Sequence, residues 1–289
     1  MVDETFIGDV LYSDTKNKQK KLTVNSHKTV QPVAFMRLGL FVPKPRNSTE
    51  PSPVIDASEL LSKLELARAE GYDNVSIVGP RLDMDTDFKV WIGIIHAFSK
   101  YGLTSNKITL RLTEFAKDCG FPSKRLSTSL RKEIHASLIK LRSKTISFQR
   151  GNDAKSVYAT GLLKVGGFDA GRDEIILEAD EKLWELYQFD HLVLMSQIAI
   201  KALPKKEAAQ ALYTFIESLP SRPAPISFER FRDRLNLTSE VKEQNRAIKT
   251  AISHLQKIGY LDADIVKKGK ENYLIIHGRR PKLVIQEEK

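Results

Sequence analysis

Apolar residues between Ser239 and Ile258 recur at the period of an α-helix. With a rotation of about 100° per residue, one stripe of this helix carries Val241, Ile248, Ile252 and Leu255. The opposite face carries basic and hydrogen-bonding side chains, namely Lys242, Arg246, Lys249, Thr250, Ser253 and Lys257. Glu243 is the only acidic residue on that outer face. The pattern predicts an amphipathic helix, and its basic face suits either bulk solvent or a polyanion.

Short elements flank this helix on both sides. Residues 226–236 predict a short helix followed by a turn, and residues 260–267 and 273–278 predict two strands. A helix, a turn, a basic helix and a hairpin are the parts of a winged helix, whose second helix usually enters the DNA major groove. The hairpin tip carries Lys267, Lys268 and Lys270. In this fold they would lie beside DNA phosphates, whereas a run of charge is more often a solvated face.

The same order of elements occurs once before in the chain. After a helix predicted at 87–100, it consists of a strand, a short helix, a long helix and two strands. These are predicted at 108–110, 113–119, 123–142, 145–150 and 157–165. Ser123 is expected to cap the long helix, and the last two strands are expected to form the hairpin, or wing, of this copy. Donors that match those of the later copy are Lys124, Arg125, Thr128, Ser129, Arg131 and Lys132. Two copies are too few for a solenoid and indicate a tandem duplication.

The predicted fold class is therefore α+β, with two tandem winged-helix domains behind a polar N-terminal arm. We assign residues 1–55 to the arm and a proline-rich loop, 56–195 to the first domain and 196–289 to the second. Within the first of these ranges, the apolar run 33–42 has β character and predicts a strand.

Composition favours a nucleic-acid partner and excludes several other classes of protein. The 289 residues are enough for two domains, and a hydrophobic share of 41% can supply their cores. A formal net charge of +10 favours a polyanionic partner. The single cysteine, Cys119, excludes a disulfide framework and a multi-cysteine zinc site within one chain. Neither a signal peptide nor an apolar run long enough to span a bilayer is visible, so we expect a cytoplasmic protein without a membrane partner.

No pattern of residues indicates catalysis, a metal ion or a cofactor. Asp83, Asp85 and Asp87 have the spacing of calcium-loop ligands, but the glycine and glutamate that such a loop needs further on are missing. Helix capping explains these aspartates better. The six histidines are scattered along the chain. A DNA-nicking enzyme would need clustered metal ligands beside a nucleophilic tyrosine. We therefore expect a protein that is not an enzyme.

Four long segments carry a resemblance to a known family. They are TVQPVAFMRLGLFVPKP from Thr29, GPRLDMDTDFKVWIGIIHAFSKYGL from Gly79, ALPKKEAAQALYTFIESLP from Ala202 and EQNRAIKTAISHLQKIGYLD from Glu243. These segments resemble the RepA-type initiators of low-copy iteron plasmids, and the similarity extends from about residue 5 to about residue 285. Segments of this length are far more specific than a short motif.

The resemblance implies a replication initiator that binds directly repeated sites, the iterons, at a plasmid origin. It implies that the C-terminal winged helix reads bases, while the N-terminal one holds the DNA backbone and forms a homodimer. It also implies that Hsp70/Hsp40-type host chaperones release active monomers, and that dimers bind an operator and repress the initiator's own gene. Its further partners are the host replication initiator and the replicative helicase. From the residues alone, a winged-helix transcription repressor without an initiation role fits equally well.

Carried onto this sequence, the resemblance places base reading on the exposed face of the helix in 239–258. Arg246 is the first choice for a guanine, because the guanidinium fork matches O6 and N7 of that base. Gln244 and Asn245 are candidates for reading adenine, although both lie nearer the buried side. Lys242 and Lys249 are expected at phosphates, and Thr250 and Ser253 suit either bases or phosphates.

Overall fold

The protein is described by a computed structural model. Its described residues are 28–44, 54–61, 73–101, 106–121, 127–150, 157–169, 171–180 and 192–279. Residues 1–27 of the predicted arm, the expected cap Ser123 and the candidate DNA contacts Lys124 and Arg125 lie outside these ranges.

The helices of the described residues are numbered in chain order. They are α1 Val33–Leu38, α2 Ser58–Leu61, α3 Asp87–Tyr101, α4 Leu112–Asp118, α5 Thr128–Arg142, α6 Gln197–Lys201, α7 Glu207–Glu217, α8 Phe228–Leu235 and α9 Val241–Lys257.

The strands of the described residues are numbered in the same way. They are β1 Lys28–Pro32, β2 Phe41–Val42, β3 Ile55–Asp56, β4 Asn74–Val78, β5 Leu82–Asp83, β6 Lys107–Arg111, β7 Thr145–Gln149, β8 Val157–Gly161, β9 Val165–Asp169, β10 Glu174–Glu178, β11 Leu192–Ser196, β12 Ile226–Ser227, β13 Leu261–Lys268 and β14 Glu271–Arg279.

The later winged helix consists of α7, β12, α8, α9 and the hairpin β13–β14. Ser227 begins α8 by accepting a hydrogen bond from Arg230 N at 3.2 Å, and Asn236 ends it in the left-handed conformation with φ 47°. The three strands pair antiparallel in the order β12-β14-β13. Ile248, Ile252 and Leu255 of α9 are buried, as the helical period predicts. The winged-helix prediction is confirmed here.

The earlier winged helix consists of α3, β6, α4, α5 and a three-stranded sheet in the order β6-β10-β9. This is the same strand order as in the later copy, because in both copies the last strand lies between the other two. Leu130, Ile134, Leu138 and Leu141 form the buried stripe of α5. The α+β fold with two tandem winged helices is therefore confirmed.

The predicted wing of this earlier copy is wrong in one respect. Residues 145–149 and 157–161 do pair as β7 and β8, but they belong to a separate four-stranded sheet in the order β3-β4-β7-β8. The hairpin that pairs with β6 is β9–β10, with Ile175 opposite Leu110. Alternation along the sequence predicts that neighbouring strands pair, but it does not reveal which sheet receives them.

The apolar run 33–42 contains a helix where a strand was predicted. It forms α1, which Gly39 ends with φ 74°, and only Phe41 and Val42 are extended. Residues 28–32 pair antiparallel with β11, and Phe35 and Met36 are buried. Residues 28–44 thus pack into the core, while the assignment of 1–55 as a unit and the other domain limits stay predictions.

The buried Arg234 and the half-buried Arg37 connect residues 28–44 to the later winged helix. Arg234 of α8 donates through Nε to Met36 O at 2.7 Å and through Nη1 to Phe41 O at 3.1 Å. Arg37 donates to Ser218 O at 2.7 Å, at the C-terminal end of α7. A Cβ on Gly39 would lie 2.7 Å from Arg234 O, so this close approach of the backbone requires glycine. These contacts fix the later winged helix against the rest of the chain.

Candidate nucleic-acid interface

The outer face of α9 is exposed and basic. Lys242, Lys249 and Lys257 are exposed, and the Arg246 side chain is 71% exposed. Arg246 Nη2 lies 2.6 Å from Glu243 Oε2, so the acid on this face pairs with the candidate base reader. An exposed i,i+3 pair of this kind contributes only a few tenths of a kcal/mol and is readily exchanged for another acceptor.

Two smaller side chains complete this face. Thr250 is exposed, and its hydroxyl donates to Arg246 O at 3.0 Å. Ser253 is half-buried. Both remain available as acceptors, and the hydroxyl of Ser253 can also donate to DNA.

Gln244 does not lie on the outer face, and its candidacy as a base reader is corrected by the structure. It is 9% exposed, and Nε2 donates to Leu237 O at 3.0 Å and to Ser239 O. Both amide hydrogens therefore hold the turn between α8 and α9. The helical angle that placed Gln244 near the buried side is the physical reason for this outcome.

Asn245 is oriented by an arginine that sequence reasoning missed. Arg232 of α8 donates through Nη1 to Asn245 Oδ1 at 2.8 Å and through Nη2 to Glu271 Oε2 at 2.9 Å. The hydrogen bond from Arg232 lowers the pKa of Glu271, so this carboxylate stays charged. One side chain thus links α8, α9 and β14, and holds the wing beside the helix. No local pattern in the sequence predicts that Arg232 links these three elements.

The hairpin β13–β14, called the C-terminal wing below, presents the lysines that the sequence placed there. Lys267, Lys268 and Lys270 are all exposed. Gly269 adopts φ 63° at the tip, a conformation that L side chains rarely adopt. Lys268 Nζ lies 5.8 Å from the centroid of the Tyr273 ring. The lysines and the outer face of α9 together form one basic surface.

Val241 lies outside the buried stripe to which the sequence assigned it. It is 57% exposed, although its helical angle nearly coincides with that of fully buried Ile248. The reason is its position as the first residue of α9, where the core has already ended. The buried residues of this helix begin only at Gln244. No local pattern in the sequence marks this end of the core.

In the earlier winged helix, the described start of α5 presents Lys132 to solvent but engages Arg131 in an ion pair. Thr128, Ser129 and Lys132 are exposed, and Ser127 Oγ caps the helix by accepting from Leu130 N at 3.3 Å. Arg131 instead pairs with Asp173, at the turn of the β9–β10 hairpin. This arginine connects its helix to its hairpin and is only partly available to a phosphate.

Asp83 and Asp87 accept backbone hydrogen bonds at the start of α3. Asp83 Oδ1 accepts from Thr86 N at 2.7 Å and from Asp87 N at 3.3 Å, so the expectation of helix capping is confirmed for Asp83. Lys140 Nζ lies 2.8 Å from Asp87 Oδ2, and burial followed by the charge of Asp83 raises the pKa of Asp87. Within the described ranges, no three His, Cys, Asp or Glu side chains are grouped so that they could hold a metal ion.

The part of the chain that the structure describes contains no helix both long and apolar enough to cross a membrane.

Comparisons with known proteins were made on sequence and on fold. "Replication protein RepA" of Escherichia coli is 63% identical over 286 residues, which cover 99% of this chain and 100% of that protein. "Protein RepA" of Escherichia coli is 62% identical over 288 residues and covers 100% of both chains. A crystal structure of domains 2 and 3 of RctB matches 88% of this chain with a TM-score of 0.54 at 11% identity, which is a likeness of fold. No protein-family profile matches the chain.

Proposed function

The chain belongs to the family of RepA-type plasmid replication initiators, and we propose that it binds the iterons of a plasmid origin as a monomer and recruits host replication machinery. In this role the protein acts without catalysis of its own, in the bacterial cytoplasm, and is encoded by the plasmid whose origin it recognises. The partners it would bring to the origin are the host replication initiator and the replicative helicase.

The observation that carries this proposal is the basic surface formed by α9 and the C-terminal wing. The helix N-terminus and outer face are uncovered, and the second helix of a helix-turn-helix unit is the element that enters the major groove. Exposed lysines on the adjoining hairpin support a role in contacting the flanking phosphates. The later winged helix is therefore assigned to sequence-specific binding.

Within that surface, roles follow from the chemistry of each side chain. We assign Arg246 to a guanine and Asn245 to an adenine. The lysines of the helix and wing are assigned to phosphates, which position the protein on the duplex without reading sequence. These are Lys242, Lys249, Lys257, Lys267, Lys268 and Lys270. Thr250 and Ser253 suit either partner.

The earlier winged helix is assigned to the DNA backbone and to dimerisation. Thr128, Ser129 and Lys132 at the exposed start of α5 suit phosphates. Lys124 and Arg125 are assigned to the phosphates as well, because they directly precede this helix in the sequence. We further propose that dimers repress the initiator's own gene by binding an operator, and that Hsp70/Hsp40-type chaperones convert them to iteron-binding monomers.

Footprinting on origin DNA tests the proposal. Initiation predicts protection of several direct repeats about two helical turns apart, since a monomer places one winged-helix pair on each repeat. Protection of a single inverted repeat alone would instead make the protein a transcription repressor. Incubation with supercoiled origin DNA and a divalent metal ion is the companion experiment. Site-specific nicking there would overturn the non-enzymatic role.

A further inference from the structure

An apolar side chain stands uncovered at the tip of the proposed recognition helix. Val241 is the first residue of α9 and is 57% exposed, whereas Ile248, Ile252 and Leu255 on the same helix are at most 1% exposed. A single exposed valine on an ordinary surface needs no explanation. Val241, however, lies at the N-terminal end of the proposed recognition helix, which is the end that meets base edges.

The neighbours of Val241 are groups that suit base edges. Asn245 lies one turn further along α9 on the same side, because residues four apart are neighbours on a helix. Its amide is held by Arg232, as described above. Lys242 is exposed beside Val241. The tip therefore presents an apolar group next to an amide and an ammonium group.

Major-groove chemistry offers one matching apolar group. The edges of adenine, guanine and cytosine present hydrogen-bond donors and acceptors, and only thymine adds a methyl group at C5. A valine carries no donor or acceptor on its side chain, so it discriminates among bases by burying that methyl or by leaving it in water. N-terminal residues of a recognition helix are the ones that meet base edges.

We propose that Val241 is a specificity-determining residue that contacts the C5-methyl group of a thymine in the recognition site. This inference rests on the proposed function, since it requires α9 to lie in the major groove. It adds thymine to the guanine and adenine assigned to Arg246 and Asn245. Apolar contact and hydrogen bonding then read neighbouring bases from one helix.

Replacing single thymines by deoxyuridine tests the contact, because the two bases differ only in the C5-methyl group. The probe is a duplex carrying one footprinted repeat, with each thymine replaced in turn. For the wild-type protein, one replacement is expected to weaken binding about fourfold, the effect of leaving one methyl unburied. Val241→Ala should bind this duplex and the unmodified one equally. The variant should fold normally, because the replaced side chain is exposed and alanine favours helix.

Ile139→Ala is the matched control. Ile139 is 51% exposed on α5 of the other winged helix, and this variant should keep the wild-type pattern of thymine sensitivity. The inference is overturned if no thymine is methyl-sensitive in the wild type, or if Val241→Ala keeps that sensitivity, or if Ile139→Ala also loses it. In all three cases, a retained preference for the repeat over random DNA leaves the proposed function standing. A wild-type protein that lacks this preference would overturn both.

Discussion

Arg246 is the residue on which base recognition is expected to depend most. Its exposed guanidinium pairs with Glu243 on the same helix, an interaction that a guanine can replace without leaving a buried group unsatisfied. Arg246→Ala should cost about 1–3 kcal/mol of binding free energy on the specific site and relax the choice at one base pair. Equilibrium binding to the repeat, to its single-base variants and to random DNA measures both effects.

Arg230→Ala provides the control for that substitution. Arg230 is exposed on α8, and its guanidinium carbon lies 5.4 Å from the Phe215 ring centroid. Its removal changes the net charge equally, and we expect no change in base preference. If Arg246→Ala loses equal affinity on random DNA and on the repeat, the base-reading role is contradicted. Arg246 would then be assigned to a phosphate.

Lys144 should make the stability of the protein depend on pH. It is 2% exposed, its ammonium donates to Gly79 O at 3.2 Å and to Pro80 O at 3.0 Å, and burial lowers its pKa from 10.5 to about 8. Between those values the unfolded chain binds a proton that the folded chain has released, so the free energy of unfolding rises with pH. The contribution of this residue over that window is about 3 kcal/mol.

Urea unfolding at about pH 7 and about pH 10 checks that dependence by comparing the wild type with Lys144→Met. The difference in unfolding free energy, wild type minus variant, should increase toward high pH, because only the wild type carries the buried amine. Lys132→Met, which removes an exposed lysine, should follow the wild type. Parallel curves for the wild type and Lys144→Met would show that this amine keeps an ordinary pKa.

The helical period identifies which face a residue of α9 occupies, but it does not show where the core ends. It placed Arg246 and the lysines on the open face and Gln244 near the buried side. It also placed Val241 in the core, because nothing in a local pattern reveals that no other element covers the first turn. The partners of Gln244 and Asn245 come from the preceding turn and from α8, and this tertiary placement decides what each amide can bind.

At the scale of elements, the C-terminal wing should supply affinity without specificity. Its lysines are exposed at the hairpin tip, and each phosphate contact contributes about 0.9 to the slope of log affinity against log salt. Replacing Lys267, Lys268 and Lys270 by alanine should weaken binding to the repeat and to random DNA alike. The salt slope should fall by roughly 2–3 in magnitude if all three contacts form.

A triple variant of Lys107, Lys117 and Lys164 is the charge-matched control for the wing. These lysines are exposed on the earlier winged helix. They belong neither to the α9 surface nor to the start of α5 that is assigned to phosphates. Their replacement by alanine removes the same charge and should leave the salt slope near that of the wild type. An unchanged slope in the wing variant would show that its lysines are merely solvated.

The two hairpins show how far element assignment from sequence can go. β13–β14 was predicted because it follows its helix directly and is bounded by polar residues. In the earlier copy the hairpin that directly follows the helix is β7–β8, but its first strand pairs with β4, at Ile77 opposite Ile146. The true counterpart, β9–β10, is recognised only through its pairing with β6. Strand order is a long-range property, and the local alternation of one hairpin does not encode it.

At the scale of the whole molecule, both winged helices share one continuous apolar core. Phe35, Trp91, Phe215 and Phe231 belong to the same buried cluster, although they come from different parts of the chain. Arginines satisfy backbone carbonyls across this junction. Arg81 donates to Pro43 O at 2.8 Å and to Asn236 O at 3.2 Å, at the end of α8. The junction therefore fixes the angle between the two winged helices, which we expect to decide whether both can contact one DNA site.

Arg234 is a buried arginine of that junction, at 4% exposed. Arg234→Met leaves Met36 O and Phe41 O without their donor, so the free energy of unfolding should fall by about 2–4 kcal/mol. Because α1 would lose its tie to α8, amide hydrogen exchange should accelerate selectively around residues 35–41. Arg230→Met, an exposed change on the same helix, should leave both measurements near those of the wild type. Equal exchange in the two variants would mean that the attachment of α1 does not depend on the hydrogen bonds of Arg234.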